Sequence, residues 1–319
     1  MKRILMMVIL FVAMIINAAP YVTNVVAKQR SPWGIVDISC EVAGIEGTAK
    51  GIAFVVEAVL PDSVVKKVSS VHFRGDGNQA GLSVTMNGNY QFVWNANADL
   101  GTARYTNVIM RVSLIRTMVQ LWDGGPYWAT TNIGAEKPED YGYYFWWGDT
   151  VGYKRENNRW VASDGSNSNF SFSSNTPTYD KTTSTLQSEG WITADGVLAL
   201  EHDAAHVHWG DDWRMPTEDE LSALYNNCDW TWTTLNGVNG YIVKGRGAYA
   251  SNSIFLPAAG EGSRTSLYDS GSEGYYRSSV PGSYRQYAWS LGFDSSNHGT
   301  DDRYSYFGQS VRPVLGFTK

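Results

Sequence analysis

The chain has 319 residues, 43% of them hydrophobic and 13% aromatic, and a formal net charge of −6. That length suits two domains rather than one. A mildly acidic balance makes nucleic acid and anionic membrane poor partners, and two cysteines, Cys40 and Cys228, exclude a disulfide framework.

Residues 1–18 have the layout of a secretory signal peptide. Lys2 and Arg3 precede an apolar run from Ile4 to Ile16, and Ile16-Asn17-Ala18 offers a cleavage site ahead of Ala19. The run is short for a membrane span. Cleavage is the expectation and an uncleaved anchor the alternative; no later segment reads as transmembrane. The expected location is therefore outside the cell, at its surface or in a periplasm. Cys40 and Cys228 read as buried free thiols in separate domains, with a cross-domain disulfide as the alternative.

Residues 19–117 read as short strands: Tyr21–Ala27, Gly34–Val42, Ile52–Leu60, Val68–Arg74, Tyr90–Trp94 and Thr106–Ile115. Turn residues separate them, as at Gly44–Gly47, Gly75–Asn78 and Asn87–Asn89. This spacing predicts an all-β sandwich of immunoglobulin-like type. His72 reads as an ordinary strand residue, and nothing in this half forms a reactive constellation.

Residues 118–319 hold eleven of the 13 tryptophans and sixteen of the 19 tyrosines, between Gly/Ser/Asn-rich stretches such as Ser163–Ser174 and Ser263–Gly282. The pattern predicts a loop-rich α+β domain packed by buried Trp and Tyr, whose N–H and O–H groups bond to irregular backbone. One helix is expected at about 216–227. Pro216 suits its first turn, Thr217 its cap, and Glu218, Asp219 and Glu220 its dipole. A second is expected near Ile192–His202, weakened by Gly196.

Three constellations carry possible chemistry. On a helix, His202 and His206 would share a face, and His208 could join them around a transition metal; surface or cap histidines are the simpler reading. Asp211, Asp212, Glu218, Asp219 and Glu220 could serve acid/base work or hold calcium, or be a solvated loop and helix cap. The late segment offers Tyr268, Tyr275, Arg277, Tyr284, Arg285, Tyr287, Arg303 and Tyr304, a palette suited to a recognition surface. About half of the late aromatics are expected in the core, Trp289 and the Tyr276 region among them. Arg312 reads as a structural anchor. No Gly-x-Ser-x-Gly elbow, phosphate loop or dinucleotide fingerprint is present.

The second half resembles the Fibrobacter succinogenes major paralogous domain family. The pieces that carry this are Leu121–Asp123, Trp128–Gly134, Gly142–Asp149, Asp203–Ala205, Trp209-Gly210, Trp213–Thr217, Cys228–Trp232, Asn236–Tyr241, Phe255–Gly260, Gly274–Tyr276, Trp289 and Gln309–Pro313, in order over roughly 190 residues. The resemblance implies a C-type-lectin-like architecture, shared with formylglycine-generating sulfatase-modifying factors. The first half resembles the β-rich module that often precedes such domains, through Val25–Arg30, Gly34–Val42 and Tyr90–Leu100.

The sulfatase-modifying oxidases hold copper with paired cysteines, whereas this half has Cys228 alone. The nonheme iron relatives take their histidines from a separate helical domain that this chain lacks. The calcium-site tripeptides of sugar-binding C-type lectins are also missing. The expectation is thus an exported, non-enzymatic protein that binds a glycan or a protein without a cofactor. The competing readings are an oxidase of either kind, a receptor diversified by a retroelement, and a structural envelope protein.

Overall fold

The computed structural model describes residues 20–30, 34–45, 52–68, 70–74, 84, 86–101, 105, 107–210 and 212–316. The expected signal peptide lies outside them, as do the Gly75–Asn78 turn and Asp211. Contacts divide the chain into two compact units, one ending at Thr117 and the other beginning at Met118. The described fold is β-rich, and its few helices are short. Among the described residues, no helix is long and apolar enough to cross a membrane.

The first unit contains β1 (Tyr21–Gln29), β2 (Ile35–Ala43), β3 (Ile52–Val59), β4 (Val65–Lys67), β5 (Val71–Phe73), β6 (Gly88–Asn95), the single-turn helix α1 (Ala96–Leu100) and β7 (Ile109–Arg116). All pairings are antiparallel, in two sheets of order β1-β2-β6-β5 and β4-β3-β7. Alternation builds the core between them. Ile38, Cys40 and Val42 of β2, and Ile52, Phe54, Val56 and Ala58 of β3, share one buried cluster with Phe92, Trp94, Met110 and Val112. Two elements were not expected, β4 and α1. Asn95 caps α1, and Asp99 accepts from Ser70 N at 3.0 Å and Trp94 Nε1 at 2.8 Å.

The second unit starts with β8 (Met118–Gln120) and β9 (Tyr127–Ala129), followed by the hairpin β10 (Tyr153–Glu156) and β11 (Arg159–Ala162). Helices α2 (Thr183–Ser188) and α3 (Ala204–Trp209), strand β12 (Trp213–Arg214) and helix α4 (Glu218–Asn227) come next. Strands β13 (Asp229–Leu235), β14 (Val238–Lys244) and β15 (Ser253–Pro257) form one antiparallel sheet, and β16 (Glu261–Ser263) pairs with β17 (Ser266–Tyr268). Strands β18 (Gly274–Pro281), β19 (Tyr287–Phe293) and β20 (His298–Tyr304) form another. The last strand, β21 (Val314–Leu315), lies between β12 and β9, so the two ends of the unit's chain meet in one sheet. Regular strands are thus more extensive here than the loop-rich reading expected.

Helix α4 begins two residues later than expected. Thr217 caps it, and Glu220 completes a capping box by accepting from Thr217 N at 2.9 Å. Pro216 stands before the cap rather than in the first turn, and its carbonyl accepts from Ser279 N at 2.8 Å. The helix expected at Ile192–His202 is absent. Ile192 and Leu198 instead bridge across a tight turn, with Gly196 at φ 80°.

The tryptophan expectation is met only in part. Trp230 Nε1 donates to Leu224 O at 3.3 Å, but the buried indole N–H groups of Trp128, Trp147 and Trp160 have no acceptor among the described residues. Aromatic rings surround Trp160, with Tyr144 and Phe172 edge-on at 5.0 Å, so apolar packing rather than backbone meets its indole. Trp289 is only partly buried, unlike Tyr276, which is 1% exposed.

Candidate functional site

The exposed aromatic chemistry gathers where β18 turns into β19. Gly282 N donates to Tyr287 O and Tyr287 N to Tyr284 O, both at 2.9 Å, closing the connection over residues 282–286. A Cβ on Gly282 would fall 2.7 Å from Asp302 Oδ1, so only glycine lets the turn approach β20 this closely. Asp302 in return accepts from Ser283 N at 3.1 and 3.2 Å. Asp180 holds the tip from the other side, accepting from Arg285 Nε at 2.7 Å and from the Gln286 amide.

Between this turn and the start of α2 runs a cleft of about 530 Å³. Its lining includes Trp147 and Leu186 from the core, Lys181, Thr182 and Thr183 ahead of and within α2, and Pro281–Tyr287. Tyr284 is 69% exposed. From it a series of rings crosses the surface. Tyr284 meets Tyr287 edge-on at 6.2 Å, and Tyr287 stacks on Tyr304 at 4.8 Å. Tyr304 stacks on Tyr306 at 5.2 Å, and Tyr179 closes on Tyr306 edge-on at 5.3 Å.

The structure thus brings Tyr284, Arg285, Tyr287 and Tyr304 together. Tyr268 is exposed on β17 but does not line the cleft. Three of the expected contact residues are corrected. Arg277 has no exposure, because the chain after β20 covers it; it donates to Tyr304 O at 3.1 Å, Phe307 O at 2.9 Å and Ser290 Oγ at 3.2 Å. Burial lowers its proton affinity to about 9. Tyr275 is 8% exposed, with its hydroxyl on Glu273 and the Arg303 guanidinium 4.2 Å above its ring. Arg303 is itself paired with Glu261 at 2.9 Å, which makes it a brace rather than a free contact.

Sequence reasoning missed Trp147, Asp180, Lys181, Thr182 and Gln286. Gln286 carried a usable signal, lying inside the Tyr/Arg-rich run. The others did not, since nothing local places residue 180 beside residue 285.

The histidines are dispersed. His202 ends a 3₁₀ turn (Leu200–His202) and stacks on Trp191 at 4.0 Å. Asp203 then caps α3, so His202 and His206 do not share a helix face as the spacing suggested. His208 Nε2 lies 3.0 Å from Thr150 O, with its ring against Tyr143 and Phe145. Burial lowers the pKa of both His202 and His208. Two of the carboxylates have other partners: Glu220 pairs with Arg214, and Glu218 accepts from Thr300 Oγ1 at 3.0 Å, while Asp212 and Asp219 are exposed. No three His, Cys, Asp or Glu side chains converge to hold a metal ion among the described residues. Cys228 is free and buried, and burial pushes its thiol up to about 12.

Asp203 and Arg312 are structural. Asp203 Oδ1 accepts from Ala205 N at 2.9 Å and His206 N at 3.0 Å, and Oδ2 from Met215 N at 2.9 Å, tying α3 to the strand before α4. Arg312 ties two segments to its own, donating to Asn132 Oδ1 at 2.9 Å and Ala129 O at 3.1 Å in one and Phe255 O at 2.8 Å in the other. Compared with known proteins, the chain matches no family model, no curated protein and no solved structure.

Proposed function

We propose that this chain is an exported binding protein that performs no covalent chemistry. In this reading an immunoglobulin-like module precedes a C-type-lectin-like domain, and the cleft beside the Pro281–Tyr287 turn takes a glycan or a protein at or outside the cell surface. The observation that carries the proposal is the tyrosine series that starts at the exposed Tyr284 on the cleft rim and continues through the half-buried rings of Tyr287, Tyr304 and Tyr306. Tyrosine offers a large amphipathic area at low entropy cost. The turn that carries Tyr284 is already held by Asp180 and Asp302, so little ordering remains to oppose binding.

An oxidase reading needs a convergent set of histidines or cysteines. Here the ring of His202 is stacked on Trp191, His208 contacts Thr150 O, and Cys228 lies in an apolar core. The binding reading is tested with the full chain on a glycan array and in an overlay of cell-envelope proteins, beside a Tyr284→Ala/Tyr287→Ala variant. Retention on either surface that the variant loses is the expected result. No retention on both, or retention indifferent to the substitutions, would overturn it.

A further inference from the structure

The charges around the cleft are arranged in pairs. Lys181 is held by Glu189, and Arg285 by Asp180 at 2.7 Å. An acidic ligand would have to draw Lys181 and Arg285 away from carboxylates that would in turn repel it. The rest of the lining is uncharged: the hydroxyls of Thr182, Thr183 and Ser283, the Gln286 amide, and aromatic and aliphatic carbon. Trp147 backs the cleft as apolar wall, 1% exposed, with its Nε1 buried away from the open space.

Shape separates the ligand classes as charge does. A protein partner commonly needs a contact of about 800 Å² on each side. A cleft of about 530 Å³ falls within the range of sites that enclose small or narrow ligands. The rim residue Tyr284 presents an open ring face, 69% exposed, whose π-electrons suit the partly positive C–H face of a sugar ring.

We infer that the cleft takes a neutral oligosaccharide, one ring seated against Tyr284 and its hydroxyls facing the Thr182, Thr183 and Ser283 lining. This rests on the cleft being the recognition site proposed above. Recognition here uses the rings and the hydroxyl lining.

The test uses the full chain on an array of neutral glycans and of uronate, sialylated and sulfated ones. The envelope-protein overlay runs in parallel, and the best neutral oligosaccharide is then titrated calorimetrically. We expect retention on neutral glycans. Tyr284→Ala should weaken binding by tenfold or more with an unchanged unfolding midpoint, because its ring lies mostly in solvent. Retention on acidic glycans only, or neutral binding indifferent to Tyr284→Ala, overturns the inference. Binding to an envelope protein alone, lost with Tyr284→Ala, overturns the sugar while leaving the cleft as the site. Silence on every surface overturns both.

Discussion

Asp149 is a carboxylate with 3% exposure, accepting from Val151 N at 3.0 Å and Gly152 N at 3.1 Å. Burial outweighs those bonds and raises its pKa from 3.8 to about 7. The folded chain therefore holds this proton more tightly than the unfolded chain does. Between about pH 4 and pH 7 its contribution to stability falls as pH rises, and the penalty is fully present above 7. His202 and His208, lowered by burial, act in the opposite sense as pH falls. The difference between wild type and Asp149→Asn isolates the carboxylate. In urea unfolding, Asp149→Asn should gain stability relative to wild type on going from pH 5 to pH 8, by on the order of 1–3 kcal/mol. An unchanged difference would refute the raised pKa. The two buried arginines show what residue-level reading can and cannot reach. Arg312 stands before Pro313 near the chain's end and reads correctly as an anchor. Arg277 sits among Tyr and Ser and reads as a contact, because its cover comes from carbonyls of Tyr304 and Phe307, some thirty residues later. Arg312 also has a geometric requirement, since three acceptors from two segments, Ala129–Asn132 and Phe255, fit one planar fork. Arg312→Lys should lose about 2–4 kcal/mol in chemical unfolding; a loss below about 1 kcal/mol would show that charge alone suffices.

At the scale of elements, locally encoded features were legible. Helix α4 carries its own capping box, Thr217 to Glu220, and the strands of the first unit carry period-two burial, as in Ile38, Cys40 and Val42. The stretch from Ile192 to His208 was misread because Gly196 turns the chain and Asp203 restarts it, so two short pieces resemble one helical pattern. The candidate cleft was legible on one side only. Its Tyr-rich turn stands out in the sequence, whereas the α2 side lies about a hundred residues earlier without a distinctive pattern. Glycines in β18–β20 make a sharper test of element-level reasoning. Gly299 lies opposite Gly292 near the start of the edge strand β20, its φ is outside the left-handed region, and a Cβ there would meet nothing within 4 Å. Gly299→Val should thus raise stability by roughly 0.5–1 kcal/mol, through lower unfolded-state entropy and better strand propensity. At Gly274 a Cβ would fall 2.1 Å from Phe293 Cζ, so Gly274→Ala should destabilise by about 1–3 kcal/mol. Thermal unfolding of the pair should move in opposite directions, and a shared sign would refute the steric account.

At the scale of the whole molecule, the two cysteines bear on how the chain holds together. Cys40 belongs to the apolar cluster shared by β2, β3, β6 and β7, and Cys228 to the cluster beneath α4 with Leu221 and Leu224. Each lies in a different unit, each is free, and burial pushes each thiol up to about 12. A thiol in that state carries little thiolate at neutral pH, and the thiolate is the nucleophile. Cohesion must then come from packing, from buried polar ties such as Asp203 and Arg312, and from the antiparallel pairing of β9 with β21. An oxidising environment has no pair of exposed thiols here to join. Two measurements follow. An aromatic disulfide reagent should titrate fewer than one thiol per native chain over an hour and two after denaturation. The unfolding midpoint should be the same with and without reductant. Rapid reaction of either thiol in the native chain would show that its cluster opens readily, and a midpoint lowered by reductant would reveal a covalent link that the fold as described does not need.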